Sequence, residues 1–545
     1  MTTPAGSPKS KEARAHAAQA RAVFLEGRPA DAERFARRAL DLAPLDIEAN
    51  YLLANALRVQ ARHDEAAIVY GRVVTIDPKH AGAFNEYGAV LFALNRLTEA
   101  EAAIGRAIAI NPKDASAFNN LARLYFPDPA KAAWALAQAD KAIALKPTMA
   151  EAHSNRGTAL YLLGRFVEAA ESHRRAIALK PNLAEAHNNL GNDLQKLGDV
   201  VGAVAAYRAA LVCAPGYADA HLNLALALLA VGDLAEGWQA YEHRWQSASF
   251  AGTARPFTQP RWNGKDPTSL LIWGEQGIGD EVLYAGLVAD LATDLAAGRD
   301  IVWEMDARLV PLMQRSFPHA TAVGRSDPPD AKTTAPTAQI PAASLGQFLR
   351  PTSDAFPARA AYLTPDPARR GRYREALVGA SGLRLVGLSW ISKNPDIGVH
   401  KTLALAALAP ILKLPGIRFV DLQYGDTAEA RAEIAHTLGV EIHHLPELDL
   451  RDDIDGLAAL LAACDTCVTV SNTTAHLAGA LGVPTAVLVP SGNGKLWYWG
   501  SEARTPWYPS LHLYRQPHAG NWTPAIDAVA ADLAQGVVAP QSAGR

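Results

Sequence analysis

Two short stretches gather polar side chains where a strand is expected to run into a helix. The first, GEQGIGDEVLYAGL from Gly274, follows the apolar run SLLIW and places Asp280 at the start of an amphipathic helix. A carboxylate there is favoured by the helix dipole. It can cap the helix or take a proton from an acceptor hydroxyl. The turn lacks full G-x-G-x-x-G spacing, and no acidic residue follows where a ribose would need one, so dinucleotide binding is not expected. Its glycines, Gly277 and Gly279 among them, suit a tight turn that needs positive φ. The second stretch, VSNTTAHLAGALGVPTAVLVP from Val470, crowds Asn472, Thr473, Thr474 and His476 ahead of an apolar helix. Free N–H groups at such a helix start, with two threonine hydroxyls, form an anion site, and His476 is placed to donate to a phosphate oxygen. A helix cap needs one polar residue. Four are present.

Cys464 and Cys467 form a C-x-x-C without a second ligand pair, at a helix end rather than a helix start. A redox or zinc role needs the opposite arrangement, so both read as small buried apolar residues. The third cysteine leaves no disulfide framework, which fits a reducing, cytoplasmic compartment.

The elements that must hold these residues divide the 545-residue chain in two. Its length is too great for a single core. Prolines recur at Pro44, Pro78, Pro112, Pro147, Pro181 and Pro215, separated by 34, 34, 35, 34 and 34 residues, each closing an apolar helix end such as RAIALKP. Small residues keep register, Gly88, Gly157 and Gly191 in first helices and Ala66, Ala100, Ala169 and Ala203 in second helices. They allow helices to approach closely, and each proline stops its helix. This pattern resembles the tetratricopeptide repeat (TPR), which predicts an α-solenoid over about 12–245, seven units, after a disordered 1–11. The fourth unit, YFPDPAKAAWALAQ, carries two prolines and an extra residue, so a local kink is expected. Such arrays bind proteins rather than do chemistry. Asn120, Asn155, Asn189 and Asn223 occupy one slot in successive first helices, spaced 35, 34 and 34. An asparagine ladder can read a polypeptide backbone, since each amide donates and accepts; the alternative is that these residues brace neighbouring turns. The ladder resembles the inner-face asparagines of the O-GlcNAc transferases, which hold the acceptor polypeptide.

After a Pro- and Gly-rich linker, 246–268, strands and helices alternate, the texture of an α/β domain. One series covers 269–365, and a hinge is expected at 366–382. A second series, 383–540, carries LRLVGLSW, IRFVDLQYG, VEIHHL, CVTVS and PTAVLVP as strands. Two Rossmann-like halves facing a cleft are expected. The aromatic cluster Trp497, Tyr498, Trp499, Trp507 and Tyr508 reads first as packing, with sugar or base stacking as the alternative.

Together GEQGIGDEVLYAGL, GLSW, FVDLQYGD, NTTAHLAGALGVP and WYWG with TPWYPSLHLYRQ resemble the GT-B glycosyltransferase domain of the heptosyltransferase family, often fused to TPR arrays in bacteria. The resemblance runs over about 235–530. The layout is like the bacterial flagellin glycosyltransferases that attach nonulosonic acids such as pseudaminic acid, and is distantly like the O-GlcNAc transferases. The resemblance implies that Asp280 is the general base and that Thr473, Thr474 and His476 cradle the donor phosphates, with Asn472, Gly277 and Gly279 beside them. A lysine after GLSW would neutralise the pyrophosphate; Lys393 and Lys401 both qualify, and Lys401 is the expected ligand. Gln423 would face the nucleotide. The family usually has aspartate-threonine in the second turn, where this chain has Asn472, which bears on donor preference or activity.

The expected function is therefore a metal-independent protein glycosyltransferase that uses no cofactor. It would move a sugar from a CMP- or UDP-linked donor to Ser or Thr of an acceptor, flagellin by resemblance, recruited by the repeats. Two alternatives stand beside it: a scaffold or chaperone with a degenerate transferase domain, and a transferase building a glycolipid or polysaccharide. The net charge of -3 calls for neither nucleic acid nor an anionic membrane as partner. No apolar run approaches the ~18 residues of a membrane span.

Overall fold

The computed structural model describes residues 8–265, 269–291, 300–378, 382–395, 397–492 and 494–538. The chain divides into two compact units. The first runs up to Leu197 and includes Ala209–Pro215; the second takes Gly198–Arg208 and everything from Gly216 onward.

The first unit stacks helix pairs: α1 Pro8–Leu25, α2 Pro29–Leu42, α3 Ile47–Val59, α4 His63–Ile76, α5 Ala81–Ala93, α6 Leu97–Ile110, α7 Ala115–Leu124, α8 Ala132–Leu145, α9 Ala150–Leu162, α10 Phe166–Leu179 and α11 Ala184–Lys196. Helix α12, Val200–Cys213, spans the division. Helix α1 starts inside the stretch expected to be disordered, and residues 1–7 lie outside the described residues. The packing logic is one of small residues: Ala66, Ala100 and Ala169 are fully buried, and a Cβ on Gly157 would come within 2.5 Å of the His173 ring. The irregular fourth unit loses the end of α7 and rebuilds its turn as a short 3-10 helix, Pro129–Lys131, capped by Asp128.

The asparagine slot has a structural explanation. Asn120 Nδ2 donates to Asn85 Oδ1 at 3.0 Å, and Asn155 Nδ2 donates to Asn119 Oδ1 at 2.8 Å. Asn85 and Asn119 are themselves one repeat apart, so one side-chain bond recurs between consecutive units. Asn189 Nδ2 turns to Thr158 Oγ1 at 3.3 Å. Three of the four residues expected to read an acceptor backbone, Asn120, Asn155 and Asn189, donate to the preceding repeat, and Asn155 is buried. Asn223 lies in α13, Ala218–Val231, within the second unit.

That second unit contains two all-parallel sheets. Strands β1 Ser269–Trp273, β2 Asp300–Met305, β3 Ala320–Gly324 and β4 Ala338–Pro341 pair in the order β3-β2-β1-β4. Strands β5 Arg384–Ser389, β6 Ile417–Asp421, β7 Ile442–His443, β8 Thr466–Val470, β9 Thr485–Val489 and β10 Leu511–Arg515 pair in the order β10-β9-β8-β5-β6-β7. The strand order reverses between β1 and β4 in one sheet, and between β5 and β8 in the other. Connections diverge at such points and open a crevice beyond the carboxyl ends of the strands. The turn GEQGIGD leaves β1 and the turn SNTTAH leaves β8, so both polar stretches sit at switch points.

Two expected connectors are ordered structure over their described residues. The hinge at 366–382 is mostly the helix Pro367–Val378, capped by Asp366, which accepts from the Ala368 and Arg369 N–H groups at 2.9 Å. The linker 246–268 buries Phe250 and Trp262, and its backbone pairs with β4 through Trp262 N to Gln339 O, 2.9 Å, and Gln339 N to Pro260 O, 3.0 Å. The last helix pair, α13 and α14 Leu234–Tyr241, also belongs to this unit. Trp238 of α14 is buried and donates from Nε1 to Arg350 O at 3.0 Å.

Beyond α14, Arg244 is fully buried and forked onto Glu275 of the GEQGIGD turn, with both bonds at 2.8 Å. Its remaining donors reach Tyr241 O, Glu242 and Ser344 Oγ, and its guanidinium lies 4.4 Å from the Tyr241 and Trp245 ring centroids. Glu275 also accepts from Ala343 N at 3.2 Å. Breaking a buried pair from one side strands a charge, at a cost of about 3–5 kcal/mol. Arg244→Met is therefore expected to lower unfolding free energy by about 3 kcal/mol in denaturant titration. A loss below about 1 kcal/mol, the scale of an exposed pair, would contradict this role.

Candidate functional site

The carboxyl ends of β1, β5 and β8 enclose a cavity of about 800 Å³. Its lining includes Gly277, Gly279, Asp280, Lys393, Lys401, Asn472, Thr473, Thr474 and His476, so nearly all the expected donor and catalytic residues share one space. Gln423 does not line it.

Asp280 stands in the first turn of α15, Ile278–Asp290, and accepts from the Gly277 N–H at 3.4 Å. Burial pushes its carboxyl up to about 6, against the Gly277 hydrogen bond and the charge of Lys401, with Glu275 adding to the rise. The strand-to-helix turn before it is not shaped as the glycines suggest. Gln276 is the residue with φ of 68°, whereas Gly277 is extended at -96°. Gly279 is instead needed for closeness: a Cβ would meet the His476 ring at 3.1 Å and Thr473 Oγ1 at 3.7 Å. Helix α15 and the helix Thr473–Ala480 meet there.

Next to Asp280, Glu281 is buried, with its carboxyl raised to about 7 by burial, against its hydrogen bond from Asp306 N at 2.8 Å and the charge of Arg325. A Cβ on Gly274 would clash with that carboxyl at 2.5 Å, which gives the first glycine of the turn its purpose.

Lys401 is only 3% exposed, and burial pulls its ammonium down to about 8, partly opposed by the Asp280 charge. Lys393 lies over the Tyr424 ring at 5.5 Å and occupies the space a Cβ on Gly425 would need. Both expected lysines thus reach the cavity, and Lys401 is the one electrostatically coupled to Asp280.

Asn472 does more than cap. Its Oδ1 accepts from Thr474 N at 3.0 Å, Ala475 N at 3.4 Å and Thr469 Oγ1 at 3.0 Å. Its Nδ2 donates to Ser389 Oγ at 2.8 Å and Ile391 O at 3.1 Å, strapping the end of β5 to the start of the helix. Two of the helix's leading N–H groups are therefore taken by this cap. Thr473 and the positive end of the helix dipole are what the turn offers an anion. Thr474 is buried, with its hydroxyl 3.4 Å from Ser389 Oγ.

Two expected donor ligands have other tasks. His476 is buried, with Nδ1 2.9 Å from Tyr508 Oη, Nε2 3.2 Å from Tyr498 Oη, and its ring stacked on Trp499 at 5.2 Å. Burial, with Lys401 nearby, pushes it down to about 3, so it is a neutral bridge between tyrosines rather than a cationic phosphate donor. Gln423 Oε1 accepts from Ser389 Oγ, Trp390 N and Ile391 N at 3.1, 3.1 and 2.8 Å, which satisfies the backbone where β5 ends. It holds the strand rather than facing a ligand. The cysteines Cys464 and Cys467 are buried and hold their protons, Cys464 raised by burial to about 12 and Cys467 pushed by burial well above the usual thiol range.

Several lining residues carried no signal in the sequence. Leu226 of α13 and Tyr241 of α14 come from the last repeat pair, and Arg308 and Ile454 come from loops and helices between the motifs. The aromatic cluster is mostly buried: Tyr498, Trp499, Trp507 and Tyr508 are buried and Trp497 is partly buried, while Trp497 and Tyr498 also line the cavity.

An aspartate at 472 would keep the cap but present an oxygen to the Ile391 carbonyl. Loss of that donor leaves a poorly paired polar group, costing about 1–3 kcal/mol. Asn472→Asp is expected to lower the unfolding free energy by that amount in denaturant titration, and equal stability of the two proteins would contradict the strap.

Comparisons with known proteins support the repeats directly. The tetratricopeptide repeat family matches residues 17–81, 60–124 and 188–248, and a further TPR repeat match covers 157–198. Among curated proteins, the chain is 35% identical over 312 residues to Protein FlbA of Caulobacter vibrioides, covering 55% of this chain and 52% of the relative. The chain thus spans about half the length of that relative. Among solved structures, it is similar to a thermophilic TPR protein of Thermus thermophilus, at 23% identity and TM-score 0.31, covering 34% of this chain and 99% of the other. It is similar to pilF of Pseudomonas aeruginosa at 19% identity and TM-score 0.34, covering 40% and 97%. Among the described residues no helix is long and apolar enough to cross a membrane. The comparisons place tetratricopeptide repeats in this chain, suited to protein–protein interaction, and a 35% identical relative beside it.

Proposed function

We propose that the second unit is a GT-B glycosyltransferase acting on a protein bound by the repeats. The observation that carries this reading is the meeting of Asp280 and Lys401 in one cavity between two parallel sheets, both walls being formed at switch points. A carboxylate raised toward neutrality is suited to take a proton from a Ser or Thr hydroxyl as the oxygen attacks a sugar's anomeric carbon. A cationic Lys401, with Lys393 and the Thr473 helix end, offsets the charge that develops on a departing nucleotide phosphate without a metal ion. Gly277 lets the donor approach the backbone closely, and Gly279 lets the two helix starts come together around it. The donor class is CMP- or UDP-linked, a nonulosonic acid by resemblance, and flagellin is the acceptor suggested by the same resemblance. The place of work would be the cytoplasm, where nucleotide-sugars are made.

One observation favours the non-catalytic scaffold instead. His476 and Gln423, both expected at the donor, are engaged by protein groups, and Asn472 is a strap. Transfer by the purified chain, read as an intact-mass increase on a flagellin in the presence of candidate nucleotide-sugars, separates the two readings.

The charges set the pH response. Asp280 must be ionised, so the rate rises as pH passes about 6, and Lys401 must be protonated, so the rate falls above about 8. The rate against pH is therefore expected to be bell-shaped, with limbs belonging to the coupled pair. Asp280→Ala is expected to reduce transfer at least about a hundredfold while acceptor binding persists. Wild-type transfer by this variant would remove Asp280 from the mechanism.

A further inference from the structure

The groups around His476 form a chain of hydrogen bonds that the transfer chemistry above does not use. From the core outward, Tyr362 Oη donates to Val282 O of α15 at 2.8 Å, and Tyr508 shares a hydrogen bond with Tyr362. His476 Nδ1 lies 2.9 Å from Tyr508 Oη, and its Nε2 lies 3.2 Å from Tyr498 Oη at the cavity wall. Tyr498, His476 and Tyr508 are all buried. Glycines seat three of the four rings. A Cβ on Gly286 would meet the Tyr362 ring at 3.2 Å, one on Gly479 the Tyr508 ring at 2.4 Å, and one on Gly279, beside Asp280, the His476 ring at 3.1 Å.

Counting hydrogens fixes the direction of every bond. The Val282 carbonyl only accepts, so it takes the single phenol hydrogen of Tyr362. Tyr362 then has only lone pairs for Tyr508, and Tyr508 must donate to it. With that hydrogen spent, Tyr508 accepts from His476 Nδ1–H. His476 is neutral and carries one N–H, so its Nε2 accepts and the Tyr498 hydroxyl points at it. Tyr498 therefore meets the cavity with its hydrogen already committed. Its neighbour there is Asp280, whose charge it feels. Asp280 takes hydrogen bonds from backbone N–H groups, its own and that of Gly277. The other titratable groups acting with it are Glu275 of its turn, Lys401, Tyr241 of α14 and Tyr284 of α15.

We propose that Tyr498 is oriented by His476, Tyr508 and Tyr362 to act only as an acceptor, which denies the Asp280 carboxylate a phenol donor and keeps it a base. A phenol donating to that carboxylate would stabilise the ionised form and weaken its pull on a proton. Tyr508 and Tyr362 act through His476 and Tyr498, as positioning residues. The inference rests on the transferase reading only where a rate is concerned, because the proton affinity of Asp280 belongs to the free chain.

The test follows the full chain by NMR with isotope-labelled histidine and aspartate, His476→Gln and Asp280→Asn assigning the two signals. The wild type is expected to show a neutral His476 with its proton on Nδ1. In Tyr508→Phe that N–H loses its acceptor. A buried orphan N–H is less tolerated than an orphan acceptor, so the proton moves to Nε2 and frees Tyr498 to donate to Asp280. The Asp280 titration midpoint is then expected to fall by about one pH unit, a tenfold loss of proton affinity. Adding Tyr498→Phe to Tyr508→Phe is expected to return the midpoint close to the wild-type value, which a general loosening of the wall would not do. A proton on Nε2 in the wild type overturns the proposal by itself, even where a variant fails to fold. So does an unchanged midpoint in Tyr508→Phe, or a lowered one that persists in the double variant. Where transfer is measured, the acid limb of the rate profile is expected to move down with the midpoint. A chain that transfers no sugar removes the transferase reading and leaves the NMR outcome standing.

Discussion

The cavity depends on one buried ion pair. Arg244, just beyond the last repeat helix, grips Glu275 at the carboxyl end of β1, where every donor of the guanidinium has a partner and two aromatic rings flank it. Holding Glu275 fixes the chain on its C-terminal side. Gln276 is forced to a positive φ that only glycine adopts at low cost, and α15 begins two residues later. Asp280 is aimed by that sequence of constraints. The last repeat pair is therefore part of the wall of the α/β unit, which explains why Leu226 and Tyr241 line its cavity.

On the opposite wall the same task falls to amides rather than charges. Asn472 ties the end of β8 to the end of β5, and Gln423 ties β6 to the same place through three bonds on a single oxygen. Neutral groups suit this position because Lys401 is already buried beside it; a fixed carboxylate here would compete with Asp280 for the cation coupled to it. A neutral Asn472 thus preserves the electrostatic contrast between the two walls. That contrast, a carboxyl raised toward 6 facing an ammonium lowered toward 8, is what an acid–base site needs near neutral pH.

Much of this was legible in the sequence wherever a pattern repeated or a turn carried unusual residues. The proline spacing located the helices, and the alternation of strands and helices located β1, β5, β6, β7, β8 and β9. Strands β3, β4 and β10 gave weaker signals because they are short edge or near-edge segments, one ending in proline. Individual roles were harder to read, because a polar side chain near a cleft serves the backbone as readily as a ligand. His476 and Gln423 illustrate this: their partners, Tyr498, Tyr508 and the β5 end, are 22 to 34 residues away in sequence. The asparagine slot misled for a related reason. Recurrence at one position implied a common ligand, and for Asn120, Asn155 and Asn189 the amide donates to the preceding repeat. The contribution of Leu226 was invisible, since a leucine in a repeat helix looks like any other core residue.

The central claim is that this cavity holds a nucleotide's phosphates between Lys401 and the helix Thr473–Ala480, across from Asp280. A crystal structure of the chain soaked with a nucleoside diphosphate tests that most directly. The account predicts phosphate oxygens within hydrogen-bonding reach of Lys401 Nζ and Thr473, with the space beside Asp280 and Trp497 left open. An empty cavity at saturating nucleotide, or phosphates seated away from Lys401, would contradict it.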